Sequence, residues 1–80
     1  MTQREKLFAR ALNNPRGLSF DDFCTLLSQA GWLFEHQTGS HQIWYSPLGH
    51  RLSIQNRNGL AKSYQVEQFL NQYEVEYGKK

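Results

Sequence analysis

The sequence predicts a small α+β domain in the order α-α-β-β-β-α: a three-stranded antiparallel sheet with helices packed on one face. Three observations carry this reading. Apolar residues recur at helical spacing in two N-terminal stretches, the middle of the chain turns β-branched and aromatic between short turns, and helical spacing returns near the C-terminus. Eighty residues suit one domain spanning 1–80, with one modest core. Five Phe, four Tyr and two Trp give that core enough ring area to offset an otherwise polar composition.

Thr2 followed by Glu5 fits a capping box, and Leu7, Phe8, Ala11 and Leu12 form the first stripe. Asn13-Asn14-Pro15-Arg16-Gly17 is a breaker cluster that ends this first helix near Asn13. Ser19 is the next N-cap, with Asp21 and Asp22 in the first turn, where the helix dipole favours negative charge. Phe20, Phe23, Leu26, Leu27 and Ala30 carry the second helix to Gly31, a glycine stop. Strands are expected at 32–38, 41–46 and 51–55, joined by the Gly39-Ser40 and Pro47-Leu48-Gly49 turns into a meander. A polar loop, Asn56-Arg57-Asn58-Gly59, leads to Ser63 as the cap of a last helix striped by Val66, Phe69, Leu70 and Tyr73. Residues 78–80 read as a solvated tail.

No apolar run exceeds three residues, as in Trp32-Leu33-Phe34, against the roughly twenty a membrane span needs, so no membrane association is expected. Met1-Thr2-Gln3-Arg4-Glu5-Lys6 lacks the apolar segment of a signal peptide, and the lone Cys24 cannot form an internal disulfide; a cytoplasmic setting is the expectation. No Cys/His spacing suggests a metal site, and no cofactor is implied. Nine Lys+Arg against seven Asp+Glu give a net charge of +2, which permits a polyanionic partner without demanding one.

Among ionisable groups, histidine alone changes charge near neutral pH without help. His36 and His50 read as ordinary strand and turn residues. His41 differs, because Gly39 and Ser40 before it let a phosphate approach closely and supply a hydroxyl. Cys24, beside Phe23 and Leu26, reads as a packing residue. Trp32, Trp44 and Tyr45 could stack on single-stranded bases, although alternation must send about half of such rings into the core. Arg51, Arg57 and Lys62 gather in the third strand, the loop after it and the start of the last helix. They fit either a solvated surface or a phosphate site.

Gly31-Trp32, Gly39-Ser40-His41-Gln42-Ile43-Trp44, Ser46-Pro47-Leu48-Gly49-His50-Arg51-Leu52-Ser53-Ile54 and Gly59-Leu60-Ala61-Lys62 together resemble the HicA toxin family, small mRNA interferases of bacterial toxin–antitoxin pairs. The resemblance covers about residues 19–73. It implies a fold similar to double-stranded-RNA-binding domains, with His41 matching the family's catalytic histidine and Gly39 and Ser40 the turn presenting it. This chain departs from the pattern at Gln42, where members often carry a second histidine, at Gln55-Asn56-Arg57-Asn58, where basic or histidine residues are common, and in the helix of residues 1–14.

The resemblance implies metal-free cleavage of mRNA. RNA carries its own nucleophile, the 2′-hydroxyl, so the protein must supply a base, positive charge for the phosphorane and a proton donor. His41 would be the base. Gly39, Ser40, Trp44, Tyr45, Arg51, Arg57 and Lys62 would bind RNA, while His36, His50, Tyr45 and water remain open as the proton donor. The implied protein partner is a HicB-type antitoxin covering His41. A non-catalytic RNA-binding domain, and a protein-interaction module, are the alternatives.

Overall fold

A computed structural model describes residues 3–78; the capping role expected of Thr2 and residues 79–80 of the expected tail lie outside the described residues, while Gly78, the first residue of that tail, closes a helical turn instead. Helix α1 spans Gln3–Asn13, a short 3-10 turn follows at Pro15–Gly17, and α2 spans Phe20–Gln29. The strands are β1 (Leu33–Thr38), β2 (His41–Tyr45), β3 (Arg51–Arg57) and β4 (Leu60–Ala61); α3 runs Ser63–Tyr73 and continues into a wider helical turn at Glu74–Gly78. The class is therefore the expected α+β, with four antiparallel strands in the order β1-β2-β3-β4 instead of three.

The fourth strand arises where a loop was expected. Asn58 and Gly59 both take positive φ, 55° and 85°. That is the backbone of a two-residue type I′ turn, whose twist matches that of the flanking strands. Asn56 accordingly pairs with Ala61, and Arg57 with Leu60. The chain between α1 and α2 then fastens β4, with Ala61 N–H donating to Leu18 O and Phe20 N–H to Gly59 O. The extended backbone persists through Lys62, so Lys62, not Ser63, occupies the α3 N-cap; no side chain caps that end and its first turn holds no acid.

Helix α2 begins and ends as expected. Ser19 Oγ accepts from Asp22 N–H at 3.0 Å. At the other end, Trp32 N–H bonds Leu27 O and Gly31 N–H bonds Ser28 O, the paired bonds of a Schellman stop. The inward stripe Phe20, Phe23, Leu26 and Leu27 packs with Val66 and Phe69 of α3 on Trp44, Leu52 and Ile54 of the sheet. Phe69 is the hub, edge-on to Phe23 at 6.0 Å and to Trp32 at 5.5 Å between centroids. Helix α1 adds buried Ala11, sets Phe8 against Tyr73 and pairs Arg10 with Asp22 at 3.0 Å. It leaves Leu12, expected in its apolar stripe, 56% exposed. This helix thus braces α2 and α3.

Candidate active site

The register of β2 decides which side chains are available for chemistry. Trp44 lies opposite Phe34 and Leu52, and Gln42 opposite Gln37 and Ile54, all on the face covered by the helices. Period-two alternation then sends His41, Ile43 and Tyr45 to the other face, along with Arg51, Ser53 and Gln55 of β3. That face lies outside the core cluster: His41 is exposed there, and Ile43, though buried, belongs to no part of the cluster.

Trp44 must be withdrawn from the expected RNA-binding set. It is only 6% exposed, packs edge-on against Phe34 at 5.6 Å, and donates from Nε1 to Gln42 Oε1 at 3.0 Å. The same Gln42 oxygen accepts from Cys24 Sγ, and Gln42 Nε2 donates to Gln37. Gln42 is therefore a structural amide on the inner face. Its position points away from His41, so lack of a histidine there removes nothing from the His41 face.

Gly39 has a φ of +62° and Ser40 does not leave the normal region, which gives a type II′ turn that opens β2 with His41. Asn56 N–H donates to Ser40 O at 3.1 Å and Gln37 Nε2 to Gly39 O at 2.9 Å, so both neighbouring strands hold the turn. A bulge at Glu35 puts His36 opposite Ile43, on the His41 face. As diagonal neighbours their backbones lie about 7–8 Å apart. Glu35 Oε1 sits 3.1 Å from His36 Nδ1, an ion pair whenever that ring is protonated. His50 immediately precedes β3 and is five residues from Gln55, the partner of His41, about 16 Å along the chain at ~3.3 Å per residue.

Two cavities flank α3. One of about 690 Å³ runs between the β3 edge and α3, lined by His41, His50, Arg51, Ser53, Tyr64 and Gln68 among others. The second, of about 360 Å³, is lined by Arg16, Arg57, Lys62, Ser63 and Tyr64, with no carboxylate. His41 thus shares its groove with Arg51, whereas Arg57 and Lys62 belong to the neighbouring cavity. Tyr64, 54% exposed, borders both, and Lys62 Nζ lies 5.8 Å from its ring centre.

Arg16 and Tyr64 escaped the sequence reading. Pro15-Arg16-Gly17 looked like a breaker only, and Tyr64 stood one place after an assumed cap. The sequence holds no pointer to Arg16 and only a weak one to Tyr64, which falls outside the apolar stripe of α3 in a chain whose residues 36–66 contain no Asp or Glu. Tyr45 is half-buried on the His41 face, opposite Leu33 and Arg51.

Two other titratable groups are structural. Burial, aided by the Asp21 charge, pushes the Cys24 thiol up to about 11, which suits packing and not nucleophilic attack. Burial alone would raise the Glu76 carboxyl. It is held below its ordinary value by hydrogen bonds from Ser46, Gln72 and the Leu48 backbone, with the His50 charge adding to them. Ser46 Oγ in turn accepts from His50 N–H, so this cluster ties the C-terminal turn to the Pro47–Gly49 turn. Among the described residues no group of three or more His, Cys, Asp or Glu could hold a metal, and no helix is long and apolar enough to cross a membrane.

Comparison with curated proteins and with solved structures gives no match. A family model does match: the one described as HicA toxin of bacterial toxin–antitoxin systems aligns with residues 20–75, from the start of α2 to just beyond α3. Helix α1 lies outside the matched segment. Most of the chain being covered, this protein belongs to the HicA toxin family.

Proposed function

We propose that this toxin is an endoribonuclease that cleaves single-stranded mRNA with His41 as general base. The observation that carries the reading is the exposed His41, fixed at a fastened glycine–serine turn on the sheet face away from the core cluster. His41 takes the proton of a ribose 2′-hydroxyl. The freed O2′ attacks the adjacent phosphorus, and the P–O5′ bond breaks as the departing oxygen gains a proton. The products are a 2′,3′-cyclic phosphate and a 5′-hydroxyl, with no oxidation or reduction. One positioned proton-transfer group contributes about 10²–10⁴-fold in rate. His36, on the same face with Glu35 beside it, is the best-placed proton donor, and its diagonal spacing lets two imidazoles flank one phosphate. Arg51, four residues from Gln55 on the same face, supplies positive charge toward a neighbouring phosphate.

A toxin of this family has an antitoxin partner. Such a protein silences the enzyme most directly by covering the sheet face around His41. The cleavage chemistry is tested on the substrate side: replacing the ribose at a mapped cleavage point with 2′-deoxyribose blocks cutting there, and the ordinary products carry cyclic phosphate ends. Cleavage of the deoxy-substituted bond at the normal rate would rule out a 2′-hydroxyl nucleophile. A non-catalytic RNA binder would instead give salt-sensitive binding without product.

A further inference from the structure

We infer that Tyr64 and Arg16 build a separate nucleotide-binding station beside the His41 groove, in which an unpaired RNA base stacks on Tyr64 while a backbone phosphate enters the Arg16–Arg57–Lys62 cavity. The inference rests on the proposed RNA substrate and extends it to residues outside the reacting centre. Three cations line one cavity of about 360 Å³ that no carboxylate lines. None of these three cations forms an ion pair with a carboxylate among the described residues. Like charges brought together repel unless an anion joins them, and a phosphate supplies that charge along with acceptors for guanidinium donors.

Tyr64 decides what kind of phosphate fits. A free anion or a phosphorylated side chain needs no ring, but a nucleic acid strand brings a base with each phosphate. Tyr64 borders both the cation cavity and the groove that holds His41, so one strand can pass from one to the other across it. Lys62 over the ring adds positive charge next to the stacking face. Base–aromatic stacking accepts any base, which makes this a station for affinity and path and not for sequence readout. Arg16 enters from the 3-10 turn between α1 and α2, so the cavity joins a residue ahead of the matched segment to residues within it.

The test uses full-length protein with His41→Ala, so that RNA survives, and a short fluorescein-labelled single-stranded RNA followed by anisotropy across a salt series. Adding Tyr64→Ala weakens binding about tenfold, within the roughly 5- to 150-fold range of such losses, and Tyr64→Phe restores it. Adding Arg16→Ala weakens binding and flattens the log–log salt dependence by about 0.7, the value for one phosphate contact on a single strand. Both sites are exposed, so unfolding midpoints stay at the parent value and report intact folding. Unchanged RNA affinity in both variants overturns the proposal. It is also overturned if Arg16→Ala alters only displacement by inorganic phosphate, or if the variants lose antitoxin binding alone. Because none of these readouts involves cleavage, they are independent of whether His41 is the base.

Discussion

The two faces of the sheet are built from the same strands and do opposite work. In β2, Gln42 and Trp44 face the helices and close a network of amide, indole and thiol, while His41 and Tyr45, one residue away, face away from the core cluster. In β3, Leu52 and Ile54 are buried and Arg51 is exposed. In the proposed mechanism adjacent residues therefore divide stability from chemistry, and a one-residue slip in register would exchange them. The difference teaches that a family motif read along the chain mixes both kinds of residue, so the histidine and the tryptophan of Gly39-Ser40-His41-Gln42-Ile43-Trp44 cannot share one role.

Substitutions on the two faces sharpen that contrast. On the covered face, Phe69→Ala removes the ring touching Phe23 and Trp32 and costs about 3–5 kcal/mol, and Trp44→Ala falls in the same range, both read as lower denaturant midpoints. Intact stability in Trp44→Ala would break the division. At the junction, Gly39→Val puts a branched residue at a φ of +62°, where an added Cβ meets nothing but the backbone itself is strained. The expected cost is about 1–2 kcal/mol, with a larger loss of cleavage because the turn carries His41.

Much of this was legible in the sequence, for physical reasons that differ by element. Ser19, the α2 stripe and Gly31 are local signals, each satisfied by bonds within a few residues, and they appear where expected. β4 was missed although Asn58-Gly59 is a strong hairpin signal, because Leu60-Ala61 is too short to show alternation and is held by Leu18 and Phe20 from far along the chain. The α3 cap falls one residue before Ser63 because the backbone stays extended only through Lys62 and is already helical at Ser63. In the site, His41 was readable from its glycine and serine. Arg16 and Tyr64 were not, since only the tertiary fold brings the Pro15–Gly17 turn beside α3.

Smaller effects test the periphery. Glu76, with its carboxyl held below the ordinary 4.5, stabilises the docked C-terminal turn fully above that pH and ceases to as pH falls through its lower folded value. Glu76→Gln accordingly lowers the midpoint slightly at neutral pH and leaves a shallower acid limb in a pH series of unfolding curves. Cys24, with its thiol pushed up to about 11 by burial, reacts with thiol reagents about tenfold more slowly than a free thiol, since its smaller thiolate fraction is partly offset by the greater nucleophilicity of that thiolate; the labelling rate at pH 8 measures this.

The most direct test of the account measures two quantities on one preparation of His41→Gln: its RNA cleavage rate and its thermal unfolding midpoint. The account predicts a rate reduced by about 10²–10⁴-fold with the midpoint of the parent protein, because an exposed imidazole carries reaction and not packing. Cleavage at the parental rate, or lost cleavage accompanied by a collapsed midpoint, would contradict it.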